Sequence, residues 1–142
     1  MYSWIYENMR IIGLDIGTKN IGIAISDETG TLAQGREVVP RSSDEDAIME
    51  IQDIIEEYKV TEIVVGLPLN MDGTKGERAA DTEKFAKKLE KETCLPVKMW
   101  DERLSTKEAE DILIEASVSR RKRKEVNDKL AAQIILQNYL DS

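Results

Sequence analysis

Three short apolar runs rich in β-branched residues follow one another near the start of the chain, and this feature constrains the fold most. Residues 10–16 (RIIGLDI) and 21–27 (IGIAISD) are separated by a short connection that contains glycine. A third extended run reaches Val39 after a turn at 28–30. Short runs joined by tight turns are typical of an antiparallel meander. The sequence therefore predicts three consecutive antiparallel strands.

After Pro40 the periodicity becomes helical, and helices alternate with strands. Helices are predicted near 48–58, 77–92, 105–116 and 126–140. Short apolar runs predict two further strands, at 62–66 and 96–100. Strands that alternate with helices pair in parallel, and the helices cover the sheet. We therefore expect an α/β fold with a five-stranded mixed sheet. It forms a single domain over residues 9–142, preceded by an extension at 1–8.

The absence of histidine and the single cysteine exclude several kinds of chemistry. The chain of 142 residues has no His and only Cys94. Catalysis by Ser-His-Asp or Cys-His groups, zinc sites built on His or on pairs of Cys, and disulfides are therefore excluded. If the chain is an enzyme, its reactive groups are carboxylates, lysines or hydroxyls. Carboxylates without His or Cys suit hard cations such as Mg²⁺ or Mn²⁺.

Targeting signals are also missing from the sequence. No apolar run approaches the roughly 18 residues of a membrane span. The first residues, MYSWIYEN, lack the apolar core and cleavage site of a signal peptide. With a single thiol, the chain is expected to be cytoplasmic and not to act at a membrane.

Asp15 is the only acid in an otherwise apolar strand. A buried charge without a partner is costly, and such acids often mark functional sites. A metal-binding carboxylate at the carboxyl edge of the sheet is one interpretation. Gly17 and Gly22 would then let a phosphate backbone approach. The alternative is an acid satisfied by the backbone amides of the next turn.

Two further acids have positions that suit a ligand site. Glu102 follows a predicted strand directly, and the carboxyl ends of strands in α/β sheets usually border the ligand crevice. It is equally a solvated loop acid or a partner of Arg103. Asp128 lies at the edge of the apolar stripe of the last helix, where it is a ligand or a residue favoured by the helix dipole. Together with Asp15, these acids are the candidates for a divalent-metal site that cleaves phosphodiesters.

Four motifs in sequence order resemble one known family. They are GLDIGTKNIGIAISD, GLPLNMDG, DERLST and NDKLAAQIILQNYL. The chain from about Arg10 to its end is similar to the YqgF family, also called RuvX, of bacterial proteins related to RuvC resolvases. The resemblance implies an RNase H-like fold. It also implies that Asp15, Glu102 and Asp128 are the metal-binding and catalytic acids of a nuclease.

The resemblance further implies a substrate and a mechanism. The family's proposed role is processing the 5′ end of precursor 16S ribosomal RNA, and its relation to RuvC suggests cleavage of Holliday junctions. In the hypothesis for this chain, Asp15 bridges the metal ions, Glu102 and Asp128 complete their coordination, and Lys19 steadies the scissile phosphate. Two positions depart from the family's pattern. Asn20 stands where relatives usually have Arg, and Ala131 stands where RuvC-type resolvases have a further acid.

Basic residues supply the predicted nucleic-acid contacts. The net charge is −8, yet five consecutive cations stand at 120–124, so the rest of the chain carries −13. This run is either a solvated loop or a flexible clamp on phosphates. The basic run consists of Arg120, Arg121, Lys122, Arg123 and Lys124. Lys75 and Arg78 lie in or near a glycine-rich loop that either faces substrate or merely connects a strand to a helix.

Structured RNA is therefore the expected partner, with branched DNA as the alternative, and the chain is expected to be a monomer or a weak homodimer. Two other functions are considered. One is an ATPase of the actin and sugar-kinase type, which shares the fold and a DIGT hairpin but needs two such domains. The other is a non-catalytic module that binds RNA, the ribosome or the transcription machinery. Metal-dependent turnover would separate that module from a nuclease.

Overall fold

The structure, a computed structural model, describes residues 9–101 and 120–142, and between 120 and 127 it describes the backbone. The described residues form one five-stranded sheet with the strand order β3-β2-β1-β4-β5. The strands are β1 (Arg10–Ile16), β2 (Asn20–Ser26), β3 (Ala33–Pro40), β4 (Val60–Leu67) and β5 (Val97–Asp101).

Strand directions follow the predicted pattern. β1 pairs antiparallel with β2, and β2 pairs antiparallel with β3. β4 and β5 then add in parallel on the other side of β1. The prediction of a meander followed by parallel strands is confirmed. The carboxyl ends of the parallel strands β1, β4 and β5 therefore meet at one edge of the sheet, which is the usual ligand-binding edge of α/β proteins.

Among the described residues, three helices cover the sheet: α1 (Asp44–Tyr58), α2 (Glu77–Thr93) and α3 (Arg120–Leu140). α1 and α2 pack on one face, where isoleucines of the strands join Phe85 and Leu89 of α2 in the larger core cluster. α3 covers the opposite face, where Ala132, Ile135 and Leu136 form a smaller cluster with strand residues. Within the described ranges, no helix is long and apolar enough to cross a membrane.

The predicted helices agree in part with the structure. α1 begins after the N-cap Ser43, whose side chain accepts a hydrogen bond from the Asp46 amide. It ends at Lys59 in the left-handed conformation, as α2 does at Cys94. The helix predicted over 105–116 lies outside the described residues.

The predicted start of the last helix is wrong. The sequence placed this start near Val126 and left the basic run as a loop, but α3 already begins at Arg120. Lys and Arg are good helix formers, and their charge does not break a helix that packing on the sheet stabilises. The basic run is therefore the first part of α3.

Candidate active site

Asp15 lies near the carboxyl end of β1, on the face that α3 covers. Its neighbours Leu14 and Ile16 belong to the core beneath α1 and α2, so the alternation of a strand puts Asp15 on the other face. Gly13 shares that face, since a Cβ built on it would lie 2.7 Å from the Leu136 Cβ of α3. Asp15 itself is half-buried.

Gly22 brings β2 against the backbone of α3. It is the direct partner of Asp15 in the antiparallel register of β1 and β2, so the two residues share a face. A Cβ built on Gly22 would lie only 2.1 Å from the carbonyl oxygen of Asp128. Only a glycine lets the helix backbone come this close. The backbone of Asp128 therefore lies over the strand position next to Asp15.

Two glutamines fix α3 along β3. Gln133 accepts a hydrogen bond from the Gly35 amide at 3.1 Å. Gln137 accepts one from the Ala33 amide and donates one to the Thr31 carbonyl, both at 2.9 Å. Side chains that bind strand backbone restrict both sliding and rotation of the helix. Asp128 is thus held by the same rigid element that packs on β1 and β2.

Glu102, the third predicted acid, lies outside the described residues. β5 ends at Asp101, directly before it, and Trp100 packs edge-on against Tyr139 of α3 with ring centroids 5.5 Å apart. Within residues 9–101 and 120–142, no group of three His, Cys, Asp or Glu side chains is arranged to hold a metal ion. The structure places the backbone of Asp128 on Gly22, the strand partner of Asp15, and the metal-binding roles of Asp15, Asp128 and Glu102 all stay predictions.

Among the predicted phosphate contacts, Lys19 has a suitable position. It is exposed in the turn between β1 and β2, four residues after Asp15. Lys75 instead forms an ion pair with Glu83 at 3.1 Å, and this pairing weakens the attraction of Lys75 for a phosphate. Arg78 is exposed in the first turn of α2. Ala131, one of the two departures from the family pattern, is only 7% exposed, so an acid at this position would be largely buried.

Arg41 was missed in the sequence analysis. Its guanidinium donates to the Gly17 carbonyl at 2.9 Å, to Asp44 at 2.8 Å and to both carboxylate oxygens of Asp81, at 2.7 and 3.0 Å. The hydrogen bonds that Arg41 donates lower the pKa of the Asp81 and Asp44 carboxyls, and the same bonds, accepted by these carboxylates, raise the pKa of Arg41. Its partners lie up to 40 residues away, so no local motif marks this residue.

Comparison with known proteins gives one family. The model of the family described as "RuvX: Holliday junction resolvase" matches residues 9–142. Two relatives, each named "Putative pre-16S rRNA nuclease", are 56% identical to this chain. The relative from Halothermothrix orenii aligns over 133 residues, 94% of this chain and 95% of its own. The relative from Geobacillus sp. (strain WCH70) aligns over 138 residues, 94% of this chain and 99% of its own.

Solved structures share the fold. A fowlpox virus resolvase in complex with substrate Holliday junction DNA matches with a TM-score of 0.58 and 14% identity, over 94% of this chain and 97% of its own. T. thermophilus RuvC in complex with a Holliday junction substrate matches with a TM-score of 0.51 and 14% identity, over 89% and 91%. At this identity the likeness concerns the fold alone, and it confirms the predicted RNase H-like architecture.

Proposed function

Because this chain belongs to the RuvX family, we propose that it is a divalent-metal-dependent nuclease that processes the 5′ end of precursor 16S ribosomal RNA. One structural observation carries the proposal. Asp15 at the carboxyl end of β1 pairs with Gly22 of β2, and the backbone of Asp128 in α3 packs directly on that glycine. Two relatives with 56% identity carry the name of a pre-16S rRNA nuclease.

The residues at this place fit a hard divalent cation. Asp15 and Asp128 offer carboxylate oxygens, the ligands that Mg²⁺ and Mn²⁺ prefer, and both residues are half-buried. In the proposal these two residues and Glu102 hold the ion. A bound divalent cation supplies Lewis-acid stabilisation of the phosphoryl oxygens and lowers the pKa of bound water.

The chain's own residues orient the substrate in this proposal. Lys19 is exposed at the end of the β1–β2 turn, where its ammonium group contacts the phosphate next to the cleaved bond. The basic residues at the start of α3 bind phosphates further along the strand, since this helix also carries Asp128. RNA that follows α3 would thus pass directly over the two acids. A processing role of this kind places the protein in the cytoplasm.

The experiment compares cleavage with metal binding. Purified protein is incubated with a precursor 16S rRNA fragment, an unstructured single strand and a four-way DNA junction, in Mg²⁺, Mn²⁺ or EDTA. The Asp15→Asn and Asp128→Asn variants run beside Asp53→Asn, the same chemical change at an exposed position of α1 on the other face of the sheet. Binding of Mn²⁺ is measured separately by electron paramagnetic resonance.

We expect metal-dependent cleavage of the rRNA fragment. It should fall by a factor of about 100 or more in the two site variants and stay unchanged in Asp53→Asn. Preferential cleavage of the junction would instead support a resolvase activity, which the family description and the RuvC-like fold favour as the second candidate. Absence of both cleavage and Mn²⁺ binding would contradict the nuclease and favour a non-catalytic RNA-binding module.

A further inference from the structure

The end of β1 that carries Asp15 is supported by fewer strand neighbours than the rest of this strand. β1 pairs with β4 from Arg10 to Leu14, whereas Asp15 and Ile16 pair only with β2. Gly17 follows and closes a tight turn by donating its amide to the Asn20 carbonyl at 2.9 Å. The placement of Asp15 therefore depends on what holds this turn.

Arg41 holds the turn from two sides. Its backbone amide donates to the Lys19 carbonyl at 2.7 Å, and its guanidinium donates to the Gly17 carbonyl at 2.9 Å. One residue thus binds both ends of the segment 17–19. The side chain is only 8% exposed, and its guanidinium carbon lies 5.1 Å from the centre of the Phe85 ring.

The guanidinium is itself fixed by two helices. Asp44 in the first turn of α1 accepts from Nε, and Asp81 of α2 accepts from both terminal nitrogens. The second carboxylate oxygen of Asp44 accepts from Lys88 at 3.0 Å. Two carboxylates thus face two cations, so the network is neutral. The planar guanidinium group can donate to all of these partners at once. A lysine ammonium is a point charge and cannot reach all of them in the same geometry.

We propose that Arg41 is a positioning residue of this site, which holds the β1–β2 turn so that Asp15 and Lys19 keep the placement needed to bind the divalent cation and the phosphate. The proposal rests on the nuclease function proposed above. Arg41 acts through the turn and touches neither ligand. Loss of the partners that orient metal ligands typically weakens metal affinity by a factor of about 10 to 100.

Three variants test this role. Arg41→Gln removes the guanidinium group and its charge, and Arg41→Lys keeps the charge alone. Asp81→Asn leaves Arg41 in place but weakens the pair that orients it, and so gives a milder change if Arg41→Gln does not fold. Glu28→Gln is the matched control, because it breaks the Arg10–Glu28 ion pair of 3.1 Å at the opposite end of β1.

Mn²⁺ affinity is measured by electron paramagnetic resonance on folded protein, and the exchange rate of the Gly17 and Arg41 amide protons by NMR. In Arg41→Gln we expect at least a tenfold loss of Mn²⁺ affinity and faster exchange of both amides. Arg41→Lys should show a similar loss, Asp81→Asn a smaller one, and Glu28→Gln none. Cleavage in Arg41→Gln should recover at high Mn²⁺ concentration, which a general loss of folding would not produce.

The outcomes separate this role from the function itself. If the wild-type protein neither binds Mn²⁺ nor cleaves RNA, the nuclease proposal and the role of Arg41 are both overturned. If the wild-type protein does both and folded Arg41→Gln keeps its Mn²⁺ affinity, only the role of Arg41 is overturned. If Arg41→Gln does not fold, wild-type affinity in Arg41→Lys and Asp81→Asn overturns this role instead.

Discussion

Gly22 lies so close to Asp128 that a single added methyl group would overlap the backbone of α3, since its Cβ would fall 2.1 Å from the Asp128 carbonyl oxygen and 2.7 Å from its carbonyl carbon. Real side chains do not approach a backbone to this distance, so the helix would have to shift. Because Gly22 also pairs with Asp15, this contact sets how far apart the two acidic residues lie.

The first prediction concerns Gly22→Ala. The added Cβ should displace α3, lower the free energy of unfolding by about 1 to 3 kcal/mol as overpacking does, and reduce cleavage per folded molecule by a factor of at least about 10. The measurements are chemical unfolding and cleavage of the precursor rRNA fragment, normalised to the folded fraction.

Gly30→Ala is the control for this prediction. Gly30 has φ +70° and no neighbouring atom within 4 Å of a built Cβ, so alanine strains the backbone there without touching α3. It should lower the free energy of unfolding by about 1 kcal/mol and leave cleavage per folded molecule unchanged. Equal cleavage by folded Gly22→Ala and wild type would show that the close approach does not set the geometry of the site.

The sequence predicted the sheet well because the strand signals are local. Alternating β-branched residues and tight turns fix the meander, and the helical periodicity of α1 and α2 fixes the crossovers. The predicted start of α3 was wrong because a run of charged residues resembles a loop in sequence, although Arg120 and its neighbours are good helix formers. Arg41 was missed because its partners come from the turn at Gly17 and from two helices, and such long-range contacts have no local sequence pattern.

Two acids of the candidate site could be recognised from the sequence, because each stands out at its own position. Asp15 stood out as an acid in an apolar strand, and Asp128 as an acid at the edge of an apolar stripe. Neither observation shows that the Asp128 backbone packs on the strand partner of Asp15. That arrangement depends on the antiparallel register of β1 and β2 and on the crossing of α3, which only the packing of three elements determines.

The second prediction concerns the basic run, now known to start a helix. Consecutive residues of an α-helix are rotated by about 100°, so five consecutive cations cannot all face one nucleic-acid strand. About three phosphate contacts are therefore expected instead of five. The triple variant Arg120→Gln, Arg123→Gln, Lys124→Gln should flatten the slope of log affinity against log salt by about 2 for single-stranded RNA. Fluorescence anisotropy in EDTA measures this slope without cleavage.

A second triple variant controls for net charge. Lys84, Lys87 and Lys91 are exposed on α2, on the other face of the sheet, and changing them to Gln removes the same charge. This control should shift the affinity only slightly and keep the slope. If both triples flatten the slope equally, the basic run acts through net charge alone and makes no direct phosphate contacts.

The third prediction concerns the Arg41 network, whose contribution to the free energy of unfolding should decrease at acidic pH. Hydrogen bonds from Arg41 lower the pKa of Asp81 and Asp44 below the ordinary 3.8. A carboxyl whose folded pKa is lowered stabilises the protein above its unfolded pKa, and this stabilisation is lost as the pH falls through the folded value. Asp81→Asn should thus lower the free energy of unfolding at pH 7 by about 1 kcal/mol, a small value because Asp81 is half-exposed.

The pH profile gives the check on this third prediction. The difference in unfolding free energy between wild type and Asp81→Asn, measured by urea unfolding, should shrink as the pH drops below about 4. Asp53→Asn should show no comparable difference, since Asp53 is exposed and the Arg41 guanidinium donates instead to Gly17, Asp44 and Asp81. A difference between wild type and Asp81→Asn that is constant from neutral to acidic pH would show that the ion pair with Arg41 does not contribute.

The fourth prediction concerns Tyr139, which anchors the end of α3 to the sheet. Its hydroxyl donates to Glu62 of β4, and this hydrogen bond, together with burial, raises the pKa of Tyr139 to about 12. A tyrosine with a raised folded pKa stabilises the protein below its unfolded pKa near 10, and this contribution is lost as the pH rises toward 12. Tyr139→Phe should therefore be less stable than wild type at pH 7, with a flatter alkaline profile.

Titration of the tyrosinate absorbance separates this bond from general packing. The difference between wild type and Tyr139→Phe isolates the Tyr139 signal, whose midpoint should lie near 12. In Glu62→Gln the acceptor loses its charge but keeps its shape, so the midpoint should fall toward 10 while the edge-on contact between Tyr139 and Trp100 remains. A midpoint near 10 in the wild-type protein would mean that packing against Trp100, rather than the bond to Glu62, holds this end of α3 in place.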